Sequence, residues 1–410
     1  MESNRAKWIG VGFLILLGLV YLFNLYQERE RSLWDFKTYY FAAEALRAGE
    51  NPYQVETLSK LAGEEISLPF LYPPFTLFFF LPFTIFSYGT AFSIYFTLKV
   101  LTVVLLFWIW RVFLERDFDW FFLPFALVAF NSAVPLDIAS GNISSFEQIL
   151  LWLGFLFHLR GRLFEFCFLV LLASLFKMTP LFFLVLLFFA KDRKKYRFLA
   201  GTLAAFVAVH VLARLLYPTL MDSFSLSVDR TLGDHESRGL WNPSTFAFIR
   251  DVWFQLAAHG GGEMGMRGPF FVFALVGILF SWITFRSLLS SKGDGEGSRD
   301  RICILSLLYL LLIPRLQVYS YLLALPPTYY LLRKRSDAKV YPLSLFFLMS
   351  LSAKDVFFPG MKEFYEFFWD YSPLVVVAFL WGYEMKEFYS RGDLKAEWID
   401  RNATGPKTFQ

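Results

Sequence analysis

The chain has 410 residues, 56% of them hydrophobic and 52 of them Phe, and its mean hydropathy is +0.47. A soluble domain has nowhere to bury that much apolar surface, so the composition points to a polytopic membrane protein. The net charge of +4 is small and no basic stripe with interleaved aromatics occurs, so nucleic acid is set aside as a partner.

A span needs roughly 20 apolar residues, and the Lys/Arg-rich side of short loops stays in the cytoplasm. The run Trp8 to Tyr26 is long enough to cross and has no small-residue cleavage pattern after it, so it reads as an anchor. Arg5 and Lys7 place its start inside, and residues 27 to about 88 outside. In that outer region Asp35 opens a stretch in which Phe36, Tyr39, Tyr40, Ala43 and Leu46 share one face and Lys37, Glu44 and Arg47 another. The pattern predicts an amphipathic helix lying in the membrane interface.

The next apolar run, Phe70 to Phe86, opens with Leu71-Tyr72-Pro73-Pro74 and contains Pro82. If it crossed, His158-Leu159-Arg160-Gly161-Arg162 and Lys191-Asp192-Arg193-Lys194-Lys195 would both lie outside, against the charge rule. It is therefore expected to be re-entrant. Spans two to four are expected at about 89–112, 119–137 and 143–159. Two short ones follow at about 163–176 and 179–190, then span seven at about 197–217. A polar outer loop, 218–243, leads to an amphipathic stretch and the Gly-rich 260–268. Span eight is expected at about 269–288, and Ser291 to Arg301 reads as a flexible linker. The last spans fall at about 302–314, 317–332, 340–353 and 371–387, followed by a charged tail, for about twelve in a single domain over 1–388.

Ionisable groups at membrane depth are costly and usually functional. Several polar groups converge on the outer side: Asp35, Asp137, Lys177, the loop Asp229 to Asn242, and Arg315. Asp35 suits a helix N-cap, and equally a general base, because a carboxylate at a helix start stays ionised. Asp137 reads as a group for acceptor hydroxyls or as a solvated loop acid. Lys177, between two apolar half-spans, either snorkels to the surface or meets a lipid-linked phosphate. Arg315 follows Pro314, and its planar fork suits phosphate; interfacial anchoring is the other reading. Arg230 and Arg238 could also contact phosphate. Tyr72 shapes a turn and, with Asn142, His235, Asn242 and Tyr319, is a candidate for touching substrate. Cys167 and Cys303 fall inside apolar runs and support neither disulfides nor a metal site. No HExxH, CxxC, Walker or GxSxG signature occurs, and no cofactor is called for.

An ordered set of short motifs carries a resemblance. Asp35-Phe36, Tyr39-Tyr40-Phe41-Ala42-Ala43, Leu46, Gly49, Asn51-Pro52-Tyr53 and Leu71-Tyr72-Pro73-Pro74 resemble the start of glycosyltransferase family 87, membrane mannosyltransferases of the GT-C superfamily. Ser140-Gly141-Asn142, Gly161-Arg162, Lys177-Met178-Thr179-Pro180 and Trp241-Asn242-Pro243-Ser244 continue the match in order. The resemblance implies an all-α GT-C-like fold in the plasma membrane. It implies inverting transfer from a polyprenyl-phosphate sugar, often mannose, to a glycolipid or glycan acceptor on the outer face. It also implies that Asp35 is the essential first-loop acid. One departure stands out. Where the family often carries a Ser-Pro-x-Ser-Trp-x-His-His-like element, this chain reads Ile313-Pro314-Arg315-Leu316-Gln317-Val318-Tyr319-Ser320-Tyr321, with no His and an Arg. A transporter or flippase for a lipid-linked substrate is the rival reading. It accounts for spans and buried charges but not for the long first outer region, and no inverted repeat is evident. A scaffold protein would have little reason to gather Asp35, Lys177 and Arg315 on one side.

Overall fold

A computed structural model describes residues 12, 16, 18–28, 31–119, 121–233, 239, 241–260, 267–290, 297–334 and 370–403. The regular structure among them is helical, and they form two compact units. The first comprises 1–236 together with Val318–Leu322, and the second 237–317 with 323–410.

In the first unit the region between Arg31 and Tyr88, expected on the outer side, is folded protein. Helix α1 (Trp34–Arg47) buries Phe36, Thr38, Tyr39, Tyr40, Phe41, Ala42, Ala43 and Ala45, so it is enclosed on most sides. Protein covers both its apolar and much of its polar face, where the pattern predicts one face against the membrane. Short helices α2 (Val55–Ala62) and α3 (Pro74–Phe80) pack against it. Aromatic rings fill the space between: Phe36 stacks on Tyr95 at 4.0 Å and 10°, and Tyr39 lies against Phe80 at 4.7 Å. Burying each such ring contributes about 1.5–3 kcal/mol. The Phe70–Phe86 run is α3 followed by the 3₁₀ helix Leu81–Ile85, too short to cross, which fits the re-entrant expectation.

The long helix α4 (Tyr88–Leu114) is apolar enough to cross a membrane. Helix α5 (Phe122–Ser140) has the length of a span but is broken. Ala129 is extended, and Phe130, Asn131 and Ser132 have φ of 53°, 57° and 60°. In a bilayer such backbone is tolerated only where protein covers it, and Phe130 and Asn131 are buried. Helices α6 (Ser144–Leu159) and α7 (Leu163–Phe176) pack tightly together, and the expected short span at 179–190 is a 3₁₀ helix, Thr179–Phe189. Helix α8 (Lys195–Leu216) has only 11% of its apolar window buried, as expected of a lipid-facing span.

The expected outer loop 218–243 is instead mostly helix. Helix α9 (Pro218–Gly233) docks Leu220, Met221, Phe224 and Val228 on the aromatic core around α1. Those positions recur at helical spacing, which is why this polar stretch folds.

The second unit comprises α10 (Thr245–Gly260), α11 (Arg267–Ser290), α12 (Gly297–Leu312), α13 (Leu325–Lys334) and α14 (Ser372–Ala403). Helix α11 is span-length with 11% of its window buried, whereas α12 is buried along most of its length. Trp381 donates to Thr284 Oγ1 at 2.8 Å, tying α14 to α11. Asp300 at the start of α12 pairs with Lys334 at 2.7 Å and accepts from Tyr330 at 3.0 Å. Among the described residues four helices are long and apolar enough to cross: α4, α5, α8 and α11. The expected span at 340–353 lies outside the described residues.

Candidate active site

The site begins where α1 meets the end of α5. The Leu33 N–H donates to the Ala139 carbonyl at 2.7 Å, and Leu33 takes a left-handed conformation with φ 52°. That pins the first turn of α1 to the turn after α5. Asp35 lies inside this first turn and makes no capping bond, so it is not the N-cap of its helix.

Gly141 ends α5 with φ +68°, and a Cβ there would sit 2.9 Å from Leu33 Cδ2. Only glycine fits both the backbone and the contact. The turn delivers Asn142 to Asp35. Asn142 Nδ2 donates to Asp35 Oδ2 at 2.7 Å and to the Tyr39 hydroxyl at 3.0 Å. Asn142 Oδ1 accepts from the Ser144 N–H at 2.9 Å and the Ser144 hydroxyl at 2.7 Å. Two donors hold the amide oxygen, so its NH₂ must face the carboxylate. Tyr72 joins through its hydroxyl, 3.1 Å from that of Tyr39. Pro73 and Pro74 place it, with Pro74 in the first position of α3, where a missing N–H costs nothing.

Asp35 is only 8% exposed. Burial pushes its pKa up to about 6; the Asn142 hydrogen bond and the Lys99 and Lys177 charges pull the other way, and Asp137 adds to the rise. A carboxylate near neutrality with one ordered donor is suited to accepting a proton from a hydroxyl. Burial also keeps Tyr39 and Tyr72 protonated, as neutral donors.

Two lysines flank this network and differ in access. Lys99, on α4, is completely buried. It pairs with Asp137 Oδ2 at 2.7 Å, donates to Ser145 Oγ at 2.7 Å, and donates to the Asn142 carbonyl. Asp137 is thus no solvated loop acid: it is fully buried and neutralised. Lys177, just after α7, pairs with Glu147 Oε2 at 3.1 Å and donates to Ser144 Oγ at 2.8 Å. Its side chain remains 26% exposed, and its ammonium lies 6.0 Å over the Tyr319 ring. Of the two cations, Lys177 is the one that a ligand can reach.

A family model for glycosyltransferase family 87 matches residues 70–314. The chain belongs to this family. As a member of glycosyltransferase family 87 it is a membrane glycosyltransferase, acting on a sugar donor and an acceptor in a lipid environment. The match contains Tyr72, Lys99, Asp137, Asn142, Glu147 and Lys177; Asp35 and Tyr319 lie outside it. No curated protein and no solved structure matches the chain.

Arg230, in the last turn of α9, is exposed and lines a separate cavity. Asn242 belongs to the second unit, where its Oδ1 accepts from the Leu316 N–H at 2.8 Å. Ser244 donates to the Pro314 carbonyl at 2.7 Å, so the Asn242–Ser244 turn grips the chain on both sides of half-buried Arg315. His235 and Arg238 lie outside the described residues. Lys99, Glu147, Tyr39 and Ser144 belong to the site although the sequence reading did not single them out. For Lys99 and Glu147 the signal was available, since each is a charge within an apolar run.

Proposed function

We propose that this glycosyltransferase transfers a sugar, mannose or another hexose or pentose, from a polyprenyl-phosphate donor to a glycolipid or glycan acceptor on the outer face of the plasma membrane, with inversion. The observation that carries this reading is the buried Asp35 carboxylate held by Asn142 at 2.7 Å within reach of the Tyr39–Tyr72 pair. Asp35 takes the proton from the acceptor hydroxyl as that oxygen attacks the anomeric carbon. The bond from the anomeric carbon to the phosphate oxygen breaks on the opposite face. Lys177 balances the charge that develops on the departing phosphate. Tyr39 and Tyr72 offer neutral donors to hydroxyls of the bound sugars. Arg315, Arg230 and Arg238 are further phosphate candidates, and Asp137, His235, Asn242 and Tyr319 further substrate candidates. Among these Asp137 acts indirectly, through Lys99. The outer-face assignment rests on Arg160, Arg162 and the Lys191–Lys195 cluster facing the cytoplasm.

The test is sugar transfer in proteoliposomes supplied with polyprenyl-phosphate-mannose and other lipid-phosphate sugars. Wild type is expected to transfer, and folded Asp35→Asn is expected not to. Absence of both turnover and donor binding by folded wild type would sink the polyprenyl-phosphate donor reading and favour another donor or a transporter.

A further inference from the structure

A cavity of about 530 Å³ opens in the first unit between α2, the turn before it, and α9. The size is in the range of small-molecule sites. Its walls carry Gln54 and Glu56 on one side and Ser223, Ser227, Thr231 and Arg230 on the other. One carboxylate and one guanidinium balance in charge, and the remaining polar groups both donate and accept. Such a lining suits neither an isoprenoid tail, which needs an apolar channel, nor a multiply charged phosphate, which needs a surplus of cations. It suits a polyol. Leu226 and Pro69 supply the apolar patches on which the C–H face of a pyranose or furanose ring can rest, and Leu226 is 51% exposed.

The cavity is built, and it is connected to the reacting carboxylate. Asn51 Nδ2 donates to Ser223 Oγ at 3.0 Å, pinning the two walls together. Asn51 Oδ1 also accepts from the Tyr53 N–H at 3.0 Å. Tyr53, another lining residue, donates its hydroxyl to the Tyr72 carbonyl at 2.8 Å. The Tyr72 hydroxyl reaches Tyr39 and Asn142, and through Asn142 the network ends on Asp35. Tyr72 thus belongs to the catalytic cluster through its hydroxyl and touches the cavity wall, at Tyr53, through its carbonyl.

We propose that this cavity is a remote acceptor subsite, which holds a neutral saccharide unit of the acceptor beyond the sugar whose hydroxyl is attacked at Asp35. The inference rests on the glycosyltransferase reading above. It makes the enzyme one that measures the length of its acceptor, and it gives Arg230 a saccharide hydroxyl as ligand instead of the donor phosphate.

The test uses full-length protein in lipid nanodiscs and saturation-transfer NMR with a panel of neutral di- to tetrasaccharides of hexoses and pentoses. Glu56 and Arg230 are both exposed, so Glu56→Leu and Arg230→Leu leave the core intact; thermal melts verify it, and Glu56→Gln serves as the milder variant. At least one oligosaccharide is expected to bind wild type and Asp35→Asn equally, to lose at least tenfold in affinity in both Leu variants, and to lose less in Glu56→Gln. Binding that survives both Leu variants, or silence across the panel, overturns the subsite. Sugar transfer run in parallel separates the two claims. Transfer without wall-dependent saccharide binding removes the subsite and keeps the enzyme. Wall-dependent binding with no transfer from any lipid-phosphate donor keeps a saccharide site in the cavity and removes the lipid-phosphate donor reading.

Discussion

Replacing Lys99 by Met tests whether the buried pair beneath Asn142 holds the site in place. Lys99 and Asp137 are both 0% exposed and 2.7 Å apart. Taking one member away leaves a buried charge without its partner, which costs about 3–5 kcal/mol. The Asn142 carbonyl and the Ser145 hydroxyl lose the same donor, at on the order of 1 kcal/mol each. Lys99→Met should therefore cost about 5–7 kcal/mol, a large part of a typical folding free energy of about 5–15 kcal/mol. Lys99→Met/Asp137→Leu exchanges the pair for apolar groups of similar size and should recover the buried-charge cost, leaving about 2 kcal/mol for the two acceptors that lost their donor. The assay is equilibrium chemical unfolding in detergent, paired with a transfer rate. The double variant should fold and still transfer slowly, because Asn142 has lost the ammonium that anchors its carbonyl. A single variant costing under about 1 kcal/mol, or a double variant no more stable than the single, would refute the reasoning.

Three further outcomes are expected. The folded-state pKa of Asp35 is raised from 3.8 to about 6, so the folded protein holds this proton more tightly than the unfolded chain does. Stability should fall by about 3 kcal/mol as pH rises through that window, while transfer rises with a midpoint near 6. Asp35→Asn should accordingly melt above wild type at pH values beyond this window but not below it, and melts on both sides check this. In Gly141→Ala the new Cβ meets Leu33 Cδ2 at 2.9 Å and Leu33 Cα at 3.2 Å, in a left-handed turn. It should cost about 1–3 kcal/mol and reduce transfer further by displacing Asn142; full activity would show that the turn does not set the Asp35–Asn142 distance. Lys177→Gln should lower transfer about 100-fold, with Lys177→Arg recovering part of it, if the cation serves the leaving phosphate. Equal loss in both, measured as initial rates against donor concentration, would argue against that role.

The polar landmarks of the site were legible because each breaks a local rule. Asp35 follows a span, Tyr72 precedes two prolines, Asn142 follows a Ser-Gly turn, and Lys177 interrupts two apolar runs. Lys99 and Glu147 were passed over because a hydropathy window averages one charge away, although the cost of that charge is the signal. The surroundings of α1 were misjudged for another reason. Its periodicity reports a buried face, but sequence alone does not say whether lipid or protein covers it, and here protein covers nearly all of it. Helix α9 reads as a loop in the sequence because its outward positions are polar, while Leu220, Met221, Phe224 and Val228 carry the helical period. The break at Phe130–Ser132 has a local signal that a hydropathy window ignores: Pro135 has no N–H to give the Asn131 carbonyl, and its ring crowds that carbonyl.

The placement of Val318–Leu322 in the first unit has a consequence for biosynthesis. The ribosome completes residues 1–236 and then makes 237–317, a further 81 residues, before the five that return to the first unit are available. Until then Phe130 lacks the Tyr321 ring that stacks on it at 5.5 Å, and Lys177 lacks Tyr319. A nascent chain halted before 318 therefore carries Asp35, Asn142 and Lys177 in an unfinished pocket, and the enzyme is assembled late in its own translation.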